Sequence, residues 1–188
     1  MFSLAAILTS AVGGYGFISW ALHPVLALIG VFAFAPYGLL AYSRAKSLSA
    51  AHPREIARTS HAWLMGGAVI FVSAGAFVAW WIHASKSHTH FPAWTKPIAK
   101  IAHVYGAYVV LAAFALQAVS GLLKMGTPRA FPTHSNAGVI VWLAAVVVAA
   151  LGLYIPFGLG AAGSALLAWT LVAASLGVGI VVAQRVMN

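Results

Sequence analysis

The side chains able to do chemistry in this chain are almost all imidazoles. Its 188 residues include eight histidines, a single carboxylate (Glu55) and no cysteine. One acid cannot provide paired acid–base catalysis, an oxygen-lined cage for Ca²⁺ or Mg²⁺, or a carboxylate proton relay. The absence of thiols removes disulfides, iron–sulfur ligation and covalent attachment through a C-x-x-C-H segment. Imidazole, by contrast, ligates zinc, copper and iron. No catalytic set can be assembled from these residues, so ligation is the chemistry that the sequence offers.

Four of the histidines open apolar stretches: His23 in "SWALHPVLALIG" (19–30), His61, His103, and His134 in "THSNAG" (133–138). The composition says what those stretches are. The chain is 63% hydrophobic and 6% charged, whereas a soluble domain carries about a quarter of its residues as charges. Several apolar runs exceed the ~18 residues that mark a bilayer-spanning helix. The sequence therefore reads as an all-α integral membrane protein forming a single membrane domain over 1–188. Spanning helices are expected at 18–43, 55–83, 97–124, 132–155 and 160–186, the first four making a core over 18–155. A short apolar N-terminal segment, 1–17, precedes them and is too short to cross at ~1.5 Å per residue. It lacks the basic leader of a secretory signal and is not expected to be cleaved. Pro24, Pro53, Pro97 and Pro132 fall in expected first turns, where a missing N–H loses nothing. Pro36 falls inside the first helix and is expected to kink it.

The formal charge of +9 does not point to nucleic acid, because the cations sit in short loops between apolar runs rather than on a stripe. Arg44, Lys46, Arg54, Arg58, Lys124, Arg129 and Arg185 share one side of the expected topology, against Lys86, Lys96 and Lys100 on the other. The positive-inside rule puts the first side, and with it the C-terminus, in the cytoplasm.

Antiparallel helices sort the four histidines by depth. His23 and His103 open helices that start on one side, His61 and His134 helices that start on the other. Two imidazole pairs result, one near each membrane face. A step of roughly 18 residues makes five helical turns and returns to the same face. It leads from His103 to Gly121, from His134 to Gly152, from His23 to Ala41 and from His61 to Ala79. Each histidine helix is thus expected to be thin where the other pair lies. Gly106 and Gly138 add room close to their own histidines. Two imidazoles per site between thin walls fit a flat macrocycle with two axial ligands, haem b; structural or catalytic zinc wants a third and fourth ligand that neither pair offers.

The same residues resemble the cytochrome b561 family of transmembrane di-haem electron carriers. "HPVL" followed by Gly30, "YGLLAYSR" (37–44), "ALQAVSG" (115–121), and "THSNAG" followed by "ALGLY" (150–154) are similar to its segments over about 20–155. The resemblance implies two non-covalent b haems, one ligated by His23 and His103 and one by His61 and His134. It also implies an electron path across the membrane between a small-molecule or protein donor and acceptor. The chain departs from the family at "KIAHVYG" (100–106), where a "SLHSW" segment is frequent, and at Met65, where a second histidine is frequent. These departures bear on the donor, ascorbate included, and leave a ferric or monodehydroascorbate reductase and a pure carrier both open. Arg44, Arg58, Lys124 and Arg129 on one side, with Lys96 and Lys100 on the other, are candidate partners for propionates or an anionic substrate. They serve equally as snorkelling anchors. His83, with His88 and His90, could hold a metal ion or metal acceptor beside the outer pair, or belong to a Trp belt at the interface.

Two other readings stay open. The chain could be a small structural subunit of a larger membrane complex, or a histidine-lined metal transporter. Membrane lipid is a certain neighbour in each case, and a homodimer is compatible with all of them.

Overall fold

The computed structural model describes residues 16–47, 51–85, 91, 96–127 and 131–154, together with 169, 171–173, 175–177 and 179. In lipid, backbone N–H and C=O groups must find partners within the segment, which selects helices for long apolar runs. The described residues comply: α1 (Gly16–Leu28), a π-helical turn (Ile29–Phe34), α2 (Ala35–Ser47), α3 (Ala51–Ser85), α4 (Ile98–Gly126) and α5 (His134–Tyr154). The first three make one continuous rod. Four spans among the described residues are long and apolar enough to cross a membrane: Leu22–Ser43, Pro53–Ser85, Ile98–Gly126 and His134–Tyr154. They match the first four expected helices in order. The expected segment 1–17 lies outside the described residues except for the start of α1. Of the expected helix 160–186, the described residues are helical, and Gly179 lies against Trp142 and Leu143 of α5.

The prolines do not all stand where the sequence suggested. Pro97 is the N-cap of α4 and Pro53 lies in the first turn of α3, as expected. Pro24 is inside α1, because the helix already runs from Gly16. Pro132 belongs to the turn that precedes α5. Pro36 produces a change of helix type next to it. In α register its ring would collide with the carbonyl of Phe32, one turn earlier. Instead the chain widens over Ile29–Phe34, and the Ala35 N–H bonds Gly30 O, five residues back.

That widening leaves one carbonyl without a partner in its own helix. Val31 O has lost the Ala35 N–H to Gly30, and its partner in the π pattern would be Pro36, which has none. The indole N–H of Trp142 on α5 takes its place, donating to Val31 O at 2.9 Å. Trp142 is 1% exposed and anchors a core of Val31, Ala35, Leu39, Ala68, Val72, Val110, Phe114, Ala145 and Val146. A buried orphan carbonyl in lipid is thereby avoided, and the rod is tied to α5 across the bundle.

The rod packs along α3 and α4 packs along α5, with α5 also reaching back to α1. Lipid tails are as apolar as leucine, so close packing of small residues drives this association. Gly30 shows how close: a Cβ there would lie 2.7 Å from Val72 Cγ2 and 2.9 Å from Ala68 O. Two hydroxyls return to their own helices, Ser43 to Leu40 O at 2.9 Å and Ser85 to Ile82 O at 3.0 Å. Among the described residues no buried side-chain nitrogen or oxygen is left unpaired.

Trp142→Phe keeps the ring and deletes the donor, and should lower stability by about 1 kcal/mol, read by thermal unfolding in detergent. Pro36→Ala supplies an N–H for Val31 O, so the double variant should lose less than Trp142→Phe does alone.

Candidate functional site

The four histidines fall into two pairs at opposite ends of the bundle. His23 near the start of the first span meets His103 in the second turn of α4, with ring centres 6.1 Å apart and planes at 70°. His61 of α3 meets His134, the first residue of α5, with centres 6.5 Å apart and planes at 88°. These are the two couples expected from depth. Apart from Leu39, the core residues lie in the chain between the two histidine levels, so the dry packing separates the couples. Along the rod from His23 to Gly38 the levels are about 20 Å apart at ~1.5 Å rise per residue.

Each imidazole is held through Nδ1 by a neighbouring helix. His23 Nδ1 donates to Gly75 O at 2.9 Å, His61 Nδ1 to Gly38 O at 2.8 Å, and His103 Nδ1 to Val148 O at 2.8 Å. A carbonyl only accepts, so these bonds place the proton on Nδ1 and leave Nε2 with its lone pair. His134 differs, because its Nδ1 lies 2.8 Å from Ser120 Oγ. While the Ser120 hydroxyl donates to Gln117 O at 2.9 Å, its Oγ is free to accept from Nδ1–H.

Glycine makes these contacts sterically feasible. At Gly75, a Cβ would sit 2.9 Å from His23 O, and at Gly152 it would lie 2.5 Å from His103 Cε1. At Gly121 it would lie 3.3 Å from His134 Cε1. The two glycines found by the step of roughly 18 residues thus abut the imidazoles themselves. On the other two helices that step overshoots. The contacts are Gly38 rather than Ala41 and Gly75 rather than Ala79, about one turn nearer the middle, where Nδ1 finds a carbonyl within reach.

The flanking candidates are distributed as follows. Lys124 lies within electrostatic reach of His134 and its Nζ donates to Phe131 O at 3.4 Å, in the turn that leads into α5. Phe131 carries a positive φ of 54°, and its carbonyl also accepts the His134 N–H at 3.0 Å. Arg58 is exposed one turn before His61. Arg44 lies in α2, its side chain outside the description, and Arg129 lies outside the described residues. At the opposite end Lys96 is exposed and Lys100 partly buried in the first turn of α4. His83 stands at that end within electrostatic reach of His23. Trp80 and Trp81 are exposed there and pack against Phe77, as an interfacial belt would. His88 and His90 lie outside the described residues.

The sequence reading missed the residues that hold the histidines: Gly38, Gly75, Val148, Ser120 and Gln117. It also missed Tyr42, whose ring centre is 5.1 Å from that of His61. Backbone acceptors leave no trace in residue type. Ser120 and Gln117 do leave one, because a serine and a glutamine one turn apart on an apolar helix need a polar partner.

Compared with known families, residues 22–156 match the model described as eukaryotic cytochrome b561. The chain belongs to the cytochrome b561 family. Neither the comparison with curated proteins nor that with solved structures finds a match. Members of the b561 family bind haem b and carry electrons across a membrane between a donor and an acceptor. The match spans all four histidines, with α3, α4, α5 and the rod from residue 22 onward.

Gly152→Ala should displace the His103 ring, while Gly121→Ala, with its longer contact, should be milder. Haem per chain, read from the pyridine haemochromogen spectrum, should fall further in the first variant than in the second.

Proposed function

We propose that this chain is a transmembrane electron carrier holding two b haems, one between His23 and His103 and the other between His61 and His134. The observation that carries the reading is the spacing of the rings. A bound imidazole nitrogen lies ~2.0 Å from its metal, so two rings facing one ion have centres about 6 Å apart. The observed 6.1 and 6.5 Å fit one ion between each pair. The Nδ1 bonds support it further, because three of them hold the ring in the tautomer whose Nε2 can ligate.

Among the described residues no group of three or more histidines and acids gathers around one point. Two protein ligands per site suit a macrocycle that brings its own equatorial nitrogens. Zinc, which wants more ligands from the protein, is a poorer fit. When bound, haem supplies the one-electron couple. The residues of the chain do the rest. His23 with His103, and His61 with His134, would each hold one haem through two imidazoles, which would favour electron passage over reaction with O₂. The core around Trp142 and Phe114 excludes water between the couples and gives tunnelling a packed medium. Lys124 and Arg58 at one end, and Lys96 and Lys100 at the other, offer positive charge to propionates or an anionic partner.

The domain reading follows the same lines. Residues 18–155 form the electron-carrying core, with 1–17 and 160–186 as packing or partner-binding additions to a single membrane domain. The cation distribution supports a cytoplasmic side for the His61 and His134 end, together with the C-terminus. The donor and acceptor are small molecules or proteins that approach these two ends.

His23→Ala and His134→Ala should each lower haem from two to one per chain, and the residual reduced-minus-oxidised spectra should differ. Wild-type protein in vesicles should reduce an entrapped acceptor from an external donor, and neither variant should. Wild-type protein purified from haem-replete cells with a stoichiometry near zero would overturn the reading and favour the structural subunit.

A further inference from the structure

Three of the four histidines give their Nδ1 proton to a backbone carbonyl, and one does not. His23, His61 and His103 bond Gly75 O, Gly38 O and Val148 O. His134 bonds Ser120 Oγ at 2.8 Å. The difference is chemical as well as positional. An amide carbonyl is a stronger acceptor than a hydroxyl, and a stronger acceptor makes the imidazole more electron-rich at Nε2. An electron-rich axial ligand favours ferric over ferrous iron and so lowers the reduction potential.

Gln117 makes this site adjustable. Its amide lies beside the same nitrogen, with one terminal atom 2.9 Å from His134 Nδ1. Turned one way, the amide oxygen is a second acceptor for Nδ1–H, at the cost of facing His134 O at 3.3 Å and setting the amide nitrogen against Gly138 N–H at 3.2 Å. Turned the other way, the oxygen accepts from Gly138 N–H at 3.2 Å and the nitrogen donates to His134 O at 3.3 Å. The second orientation brings an N–H donor against Nδ1. That contact suits an imidazole with its proton on Nε2, and such a ring cannot ligate. Ligation at Nε2 therefore selects the orientation with oxygen toward Nδ1. A backbone carbonyl has no such freedom, because its direction is fixed by the helix.

We propose that Ser120 and Gln117 are positioning residues that set the reduction potential of the His61/His134 haem independently of the His23/His103 haem. The proposal rests on the two-haem reading above. Both act through His134, and neither is a ligand.

Redox potentiometry of the purified holoprotein, followed in the visible spectrum, tests this with His134→Ala identifying the wave that belongs to the His23/His103 haem. Ser120→Asp puts a carboxylate on Nδ1–H and should move only the other wave, to lower potential. The double variant Ser120→Ala/Gln117→Leu removes both acceptors and should move that wave upward, by more than Ser120→Ala alone, in which the Gln117 oxygen still accepts. Ser120→Thr keeps the Oγ and should titrate as wild type. The low-spin ferric EPR signal of the same haem should shift with Ser120→Asp while the second signal stays. Two haems per chain whose waves are both unmoved, or move together, in Ser120→Asp and in the double variant would overturn the role of Ser120 and Gln117 while leaving the two-haem reading intact. Haem stoichiometry near zero in the wild type would overturn both.

Discussion

A hydrogen bond from imidazole Nδ1 to a group on the next helix organises this molecule. Three of the four such bonds reach a main-chain oxygen and fix the ring tautomer, while the fourth meets the Ser120 hydroxyl. In lipid an unbonded N–H costs more than in water, so each bond ties a pair of helices as well as a ring. His23 and His61 link the rod with α3 in both directions, one at each end. His103 and His134 do the same for α4 and α5. The bundle is thus two reciprocally bonded helix pairs, and each couple of rings forms where the pairs face one another.

The middle of the bundle follows a different logic. There the polar group is a carbonyl that Pro36 has left unpaired, and its partner is the indole of Trp142. The proline, the π-helical turn and the tryptophan make one device, since the first two expose the carbonyl that the third satisfies. It ties the rod to α5, across the division between the two helix pairs. Around it lies the dry core that separates the two couples. An electron carrier needs both features, because the ends must admit cofactor edges and partners while the centre must hold distance and exclude water.

Asymmetry between the ends is built from the same parts. At the His23 end both rings rest on carbonyls. At the His134 end one ring rests on a hydroxyl, with an amide and the Lys124 cation close by. Under the proposed two-haem reading, sites with the same pair of ligands can therefore differ in redox character through groups that are not themselves ligands. Family membership accounts for haem binding in general. The difference between the two ends arises from the particular acceptors.

The sequence alone determined the helical class, the order and rough limits of the four crossings, and the pairing of histidines by depth. Apolar length, proline position and antiparallel alternation are properties of the chain read in one dimension. It also marked Gly121 and Gly152, because a small residue on a known face is visible in the periodicity. The carbonyls that receive three of the rings could not be read, since every residue has one and only helix packing selects Gly38, Gly75 and Val148. Nor could the outcome at Pro36 be read, where the sequence suggested a kink. A π-helical turn formed there because Trp142, 106 positions beyond Pro36, brings a donor to the stranded oxygen. Residue type decided which groups needed partners; only the packing of one helix on another decided which partners came within reach.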